Sequence, residues 1–195
     1  MSLPDIVPFL ISWLRNPARV AAIAPSSATA AALMTGEISP IAGPVIELGP
    51  GTGPFTYALL ERGVRERDLI LVEFGAKFAS LLRQRFPQAR ILEMDAAHLC
   101  SFADLKERSA GAVVSGLGLS TMPQEKVAAI LDGAFRFLRP EGAFFQITYH
   151  LRCPVPRAVL DRLDLEAFYI GRTFRNLPPA SVYRIARRSP ALSKG

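Results

Sequence analysis

Two hydrophobic rhythms alternate along the chain. Short apolar runs at 44–48 (PVIEL), 69–73 (LILVE), 90–93 (RILE), 112–115 (AVVS) and 143–148 (AFFQIT) have the length and β-branched content of buried parallel strands. Between them the apolar spacing changes to that of a helix. Residues 54–62 open with Pro54, a residue favoured at the first helical position. Residues 75–86 carry Phe78, Leu81, Leu82 and Phe86 on one face, and 123–138 repeat the pattern with Val127, Ile130, Leu131, Ala134, Phe135 and Leu138. Strand and helix in alternation predict a doubly wound α/β sheet. After residue 149 the rhythm changes again: "EAFYIGRTF" and "SVYRIARR", joined by the turn-rich "RNLPPA", predict two strands in an antiparallel C-terminal hairpin.

Composition narrows this picture. A chain of 195 residues, half of them apolar and 21% charged, suits one well-buried core and is short for two. The expectation is a single domain over 1–195, with a helical N-terminal segment (1–36) ahead of a Rossmann-like core (37–195). Cys100 and Cys153 form no CxxC pair, and with only His98 and His150 beside them no metal site is expected. The apolar start (Ile6, Val7, Phe9, Leu10, Ile11, Trp13, Leu14) has no basic leader and is cut by Pro8 and Arg15, which argues against a signal peptide or a membrane span. The net charge of +6 is uneven: residues 150–195 hold nine basic side chains against three acidic. Such a surface suits an anionic partner, a lipid surface or a nucleic acid, or else is a solvated tail.

The chemistry begins at "VIELGPGTGPF" (45–55), the turn leaving the first core strand, where doubly wound sheets bind ligands. A dinucleotide fingerprint fails in both registers, because Pro54 or Thr56 stands where the third glycine belongs. What remains is E-x-G-x-G-x-G, with Glu47, Gly49, Gly51 and Gly53. Three glycines let the backbone approach a ligand, and a carboxylate beside them repels a pyrophosphate but attracts an ammonium or sulfonium. The pattern favours S-adenosylmethionine. Glu73, ending the second strand, is placed to accept from ribose hydroxyls, and Asp95, just past the third strand, to accept from an adenine amino group.

With these residues the chain resembles the class I methyltransferases, and specifically the bacterial phospholipid N-methyltransferases of the Rhodobacter-like type. The resemblance rests on "ELGPGTG", "VEF", "DA" after the third strand, "VVSGLGLSTMP" and "FFQITY", and extends to "WLRNPARVAAIAPSS" and "RNLPPASVYRIAR" at the two ends. It implies a seven-stranded, mostly parallel sheet and S-adenosylmethionine as methyl donor. It also implies stepwise methylation of phosphatidylethanolamine towards phosphatidylcholine, by an enzyme peripheral on the cytoplasmic face of the membrane. The cofactor set carried over is Glu47, Gly49, Gly51, Gly53, Glu73, Phe74, Asp95, Ala96 and Ser115. Ribosomal RNA adenine dimethyltransferases look similar, but methyltransferases acting on an adenine amine carry an Asn/Asp-(Pro/Leu)-Pro-aromatic motif after the fourth strand. Here Ser115-Gly116-Leu117-Gly118 offers neither the amide nor the stacking ring, so no nucleic-acid partner is expected. A soluble methyltransferase for a small amine or quinone stays open, as does a non-catalytic lipid-surface protein that keeps the fold. Intact Glu47, Glu73 and Asp95 argue against the second.

An activated methyl group needs no enzyme nucleophile, only alignment of a neutral amine and exclusion of water. His150 suits removal of the ammonium proton, which solvent water could equally accept. Tyr149 could instead face the increasingly methylated amine through cation–π attraction. Arginine suits a phosphodiester, and Arg152, Arg175 and Arg184 lie near the last strands, with Tyr183 beside Arg184 the preferred anchor. Phe9, Leu10, Trp13 and Leu14, followed by Arg15 and Arg19, have the spacing of an interfacial helix on anionic lipid, of a lid, or of a helix packed on the sheet.

Overall fold

The computed structural model describes residues 25–41, 43–174 and 178–188. Its centre is a seven-stranded sheet in the order β3-β2-β1-β4-β5-β7-β6. The strands are β1 (Val45–Leu48), β2 (Leu69–Glu73), β3 (Arg90–Glu93), β4 (Ala110–Ser115), β5 (Leu138–Thr148), β6 (Leu165–Thr173) and β7 (Ala180–Arg187). β1 to β5 run parallel, while β7 is antiparallel to both β5 and β6. The order follows from the side chains. All four residues of β1 are buried and β4 is nearly as enclosed, whereas β3 and β6 show exposed positions and take the two edges, where half of the backbone faces solvent.

Among the described residues five helices cover the sheet: α1 (Pro25–Thr35), α2 (Pro54–Glu61), α3 (Ala76–Arg85), α4 (Gln124–Phe137) and α5 (Arg157–Arg162). One face of the sheet carries the core cluster of Ile46, Leu48, Val113, Phe144 and Ile185, packed with Val127, Ile130 and Leu131 of α4. The other carries Val45, Leu71, Val114, Phe145 and Val182, packed with Met34 of α1, Leu59 of α2 and Leu82 of α3. Alternate residues of one strand thus serve opposite layers, as period-two geometry requires.

The alternation of strand and helix and the closing hairpin are as the sequence predicts. β5 starts five residues earlier than expected, at Leu138, because an apolar helix end runs directly into the strand and hides the boundary. α5 went unpredicted, being only six residues long. α1 packs on α2 and on β5, β6 and β7 with Ala30, Ala31 and Met34 buried, so this part of the 1–36 segment belongs to the core. The stretch from Phe9 to Arg19 lies outside the described residues.

Candidate active site

The loop between β1 and α2 crosses the carboxyl end of the sheet. Gly49, Gly51 and Gly53 have φ of 68°, 57° and 87°, a region that side-chain-bearing residues enter only with strain. At Gly53 a Cβ would also lie 2.8 Å from Cε2 of Phe86, whereas at Gly51 it would meet nothing within 4 Å. The glycine at 53 is demanded by packing; the one at 51 keeps its backbone approachable.

Two carboxylates flank this loop. Glu73, at the end of β2, accepts from the backbone N–H of Gly51 at 3.1 Å through Oε2 and from that of Gly75 at 2.9 Å through Oε1. A carboxylate offers about four acceptor positions, so each oxygen keeps capacity for a ligand hydroxyl. Phe74 follows it, 76% exposed. Glu47, on β1, is fully buried. Its Oε2 accepts from Thr56 Oγ1 at 2.6 Å, and its Oε1 has no partner among the described residues. Burial pushes the Glu47 carboxyl up to about 8, against the lowering effect of the Thr56 hydrogen bonds and with a smaller contribution from the Glu73 charge. A buried carboxylate with a bare oxygen is costly unless a donor or cation completes it. The loop therefore fits a ligand that brings hydroxyls to Glu73 and positive charge to Glu47.

Asp95 follows β3 and caps the 3₁₀ turn Ala96–Ser101, its Oδ1 accepting from Ala97 N–H at 3.0 Å. Its Oδ2 accepts from Lys126 Nζ of α4 at 2.6 Å. The Lys126 bond, then that from Ala97, holds its carboxyl below the usual range. Sequence reasoning missed Lys126, which lies 31 positions away on a helix that only the sheet crossover brings near. Ala96 is buried beside Asp95, and Ser115 is buried at the end of β4, its Oγ accepting from Leu117 N–H at 3.4 Å.

Residues 45–142 match the family described as "Methyltransferase domain". A curated relative, the ornithine lipid N-methyltransferase of Singulisphaera acidiphila, is 32% identical over 189 residues, 93% of this chain and 95% of the relative. The chain belongs to the S-adenosylmethionine-dependent methyltransferases. The fold agrees. A TehB-like methyltransferase from Corynebacterium glutamicum superposes with a TM-score of 0.64 at 16% identity, covering 95% of this chain and all of that one. The Burkholderia thailandensis 1,6-didemethyltoxoflavin-N1-methyltransferase, solved with its substrate and S-adenosylhomocysteine, gives 0.60 at 14% identity over 95% and 92% of the two chains.

The methyltransferase gathers Tyr149, His150 and Arg152 just past β5, at the same end of the sheet as the glycine loop. Tyr149 is half exposed, and burial of its hydroxyl raises its pKa. His150 is exposed, its backbone N–H donating to Thr148 Oγ1 at 3.2 Å. Arg152 is exposed and borders a groove of about 1010 Å³ between α5 and the start of β6. Tyr183 is almost fully buried: its hydroxyl donates to the Leu151 carbonyl and its ring packs edge-on against Tyr169 at 5.6 Å. Its polar atom is thus committed to the protein.

Arg184 is not brought to this site, contrary to the expectation of a Tyr183-Arg184 anchor. Adjacent strand residues face opposite sides. Arg184 pairs with Glu37 at 3.4 Å, lies 5.7 Å from the Phe168 ring, and lines a small groove with Gly111 and Glu141 near the beginnings of β4 and β5. The basic excess after residue 149 is also largely consumed internally. Arg157, Arg162 and Arg188 pair with Asp161, Glu125 and Asp161, and Arg187 donates to the carbonyls of Phe135, Leu138, Arg139 and Pro140. Arg175 and Lys194 lie outside the described residues. Arg152 and Arg172 remain, with no carboxylate partner among the described residues, and both stand at the cofactor end. Among these residues no cluster suits a metal ion, and no helix is long and apolar enough to cross a membrane.

Proposed function

We propose that the enzyme methylates the amine of a lipid headgroup at the bilayer surface, with phosphatidylethanolamine and its mono- and dimethyl forms as acceptors and phosphatidylcholine as end product. The observation that carries this reading is the reach of the similarity to the ornithine lipid N-methyltransferase. It spans 93% of the chain, well beyond the general methyltransferase region of 45–142, and so includes the segments after β5 that line the acceptor side. The substrate in that relative's name also favours a second acceptor, an ornithine lipid, whose headgroup likewise joins an amine to an anionic group.

The rim of the site supports a membrane-facing orientation. Tyr149, Leu151 and Phe174 are 50%, 71% and 78% exposed, and Arg152 and Arg172 stand among them. Apolar side chains interleaved with unpaired cations suit the interface of an anionic leaflet, and an enzyme working on headgroups of the cytoplasmic leaflet must turn its cofactor end to it.

Bound S-adenosylmethionine supplies a methyl group already activated on a sulfonium sulfur. In this reading Glu73 holds ribose hydroxyls, Glu47 faces the positive end of the cofactor, and Phe74, Asp95, Ala96 and Ser115 frame the remainder. The acceptor ammonium must lose its proton before its lone pair can act. His150, exposed at the end of β5, passes that proton to solvent, while Tyr149, kept protonated by its raised pKa, turns its ring to the positive charge that forms on the nitrogen as the methyl leaves sulfur. Labelled methyl transfer into liposomes containing phosphatidylethanolamine or ornithine lipid, with soluble amines and ribosomal RNA as controls, tests the proposal. Label in lipid alone is expected; label only in RNA or soluble amines overturns it.

A further inference from the structure

Three polar atoms at the acceptor end have no hydrogen-bond partner among the described residues: Gln146 Oε1, Ser181 Oγ and Arg172 Nε. Gln146 and Ser181 are fully buried. All three belong to one face of the sheet. Phe144 and Ile185 pack in the same core cluster, and the period-two pleat puts Gln146 and Thr148 on the side of Phe144, and Tyr183 and Ser181 on that of Ile185. Ser181 is paired directly with Thr148 on one side and Arg172 on the other. Gln146, Ser181 and Arg172 thus form a diagonal row across β5, β7 and β6, Ser181 directly opposite Arg172 and Gln146 one diagonal step, roughly 7–8 Å, from Ser181.

The row has a chemical direction. Nε2 of Gln146 donates to the carbonyls of Leu117 at 2.8 Å and Ile147 at 2.6 Å. These bonds fix the amide, so Oε1 faces away from them and calls for a donor. Ser181 can donate, and Arg172 can only donate. The guanidinium of Arg172 rests 5.4 Å from the centre of the Phe174 ring, at the exposed rim. The acceptor atom therefore lies on the β4 side, where Gln146 pairs with Ser115, itself the neighbour of Leu48 at the start of the glycine loop. The donors lie on the outer side. Buried polar groups are rarely left unpaired in folded proteins, and three in one row describe a ligand with the complementary polarity.

We propose that Gln146, Ser181 and Arg172 hold the zwitterionic headgroup of the acceptor. Gln146 Oε1 accepts from its amine, and Ser181 Oγ and Arg172 donate to its anionic group, a phosphodiester or a carboxylate. The inference rests on the lipid-amine reading above and replaces Arg184 as the anion anchor. Tyr183 is a positioning residue, tying Leu151 of the segment after β5 to the same row.

The test measures methyl transfer and cofactor affinity for the parent, Arg172→Met and Ser181→Ala. The vesicles are neutral phosphatidylcholine doped with either phosphatidylethanolamine or ornithine lipid, so that bulk surface charge barely changes. Methionine keeps an apolar stem against Phe174 without the charge, and alanine is small enough for the buried site at 181. For whichever lipid the parent methylates, Arg172→Met is expected to raise KM in mole fraction of lipid by about 10- to 100-fold and Ser181→Ala by about 3- to 10-fold. In both variants kcat should stay within threefold, and cofactor affinity and vesicle binding within twofold, since Arg172 and Ser181 hold the anionic group and not the reacting amine. KM within twofold of the parent in both variants, or a loss confined to kcat, overturns the headgroup site. A parent that methylates neither lipid but does methylate a soluble amine overturns the lipid reading instead.

Discussion

Replacing Glu47 by glutamine tests the electrostatic design of the cofactor site. In the free protein the Glu47 carboxyl titrates at about 8 because it is fully buried with one bare oxygen. At pH 7 it is therefore about nine-tenths protonated. A ligand that brings positive charge to that oxygen favours the carboxylate, so binding S-adenosylmethionine at pH 7 should release close to one proton from Glu47. Parental affinity should climb with pH up to about 8 and then level. Glu47→Gln should lose this proton. Its affinity should fall short of the parent by about 1.5–3 kcal/mol at pH 8, the worth of a hydrogen bond to a charged group, and the gap should close towards pH 6. Stability has the opposite slope. The folded value lies above the ordinary 4.5, so this carboxyl's contribution is complete below about pH 4.5 and is lost as pH rises through about 8, on the order of 5 kcal/mol at ~1.4 kcal/mol per pKa unit. The glutamine variant should lack that decline. Calorimetric titration in two buffers of different ionisation enthalpy counts the protons, and the parent-minus-variant difference cancels those from the ligand's own amine. Equal proton release by parent and variant would refute the assignment of Glu47 to the cofactor's positive end.

Glu73→Ala removes the acceptor that holds the Gly51 and Gly75 amides and that would hold the ribose. Calorimetry should show cofactor affinity weakened by about 2–4 kcal/mol with the fold retained. Gly51→Ala and Gly53→Ala should separate binding from stability. The first has open space at its Cβ and only the backbone strain of its positive φ, about 1 kcal/mol, so its main cost should be in affinity. The second drives a Cβ to 2.8 Å from Phe86 and should lower stability by about 1–3 kcal/mol in thermal unfolding. Arg184→Ala, which breaks a half-exposed pair with Glu37 far from the site, should leave lipid methylation within twofold and change stability by under about 1 kcal/mol. Leu151→Glu, placing an anion on the exposed rim, should weaken sedimentation with phosphatidylglycerol vesicles by about tenfold without altering cofactor affinity.

The glycine loop and the carboxylates at 47, 73 and 95 were legible in the sequence because each sits at or just past a strand end, where linear position specifies spatial position. The sheet was legible for a related reason: its central strands are apolar on both faces. The side chains at the end of β5 and in the closing hairpin were far less so. Tyr183 and Arg184 are neighbours in the chain and look like a pair, yet the pleat sends one under the segment after β5 and the other to the opposite face beside Glu37. Arg172 passed unnoticed among nineteen arginines, because only the neutralisation of the others by Glu37, Asp161, Glu125 and the α4–β5 carbonyls sets it apart. Lys126 was hidden for a similar reason, its partner Asp95 being joined to it only through the crossover between β3 and α4.

The most direct test of a lipid-amine methyltransferase is the lipid mass spectrum of a bacterial host that makes phosphatidylethanolamine but no methylated lipid, with and without this chain. New mono-, di- and trimethylated phosphatidylethanolamine is expected in cells expressing the parent, and none in cells expressing Glu73→Ala at equal protein level. An unchanged lipid spectrum together with newly methylated ribosomal RNA, or with a methylated soluble amine alone, would contradict it.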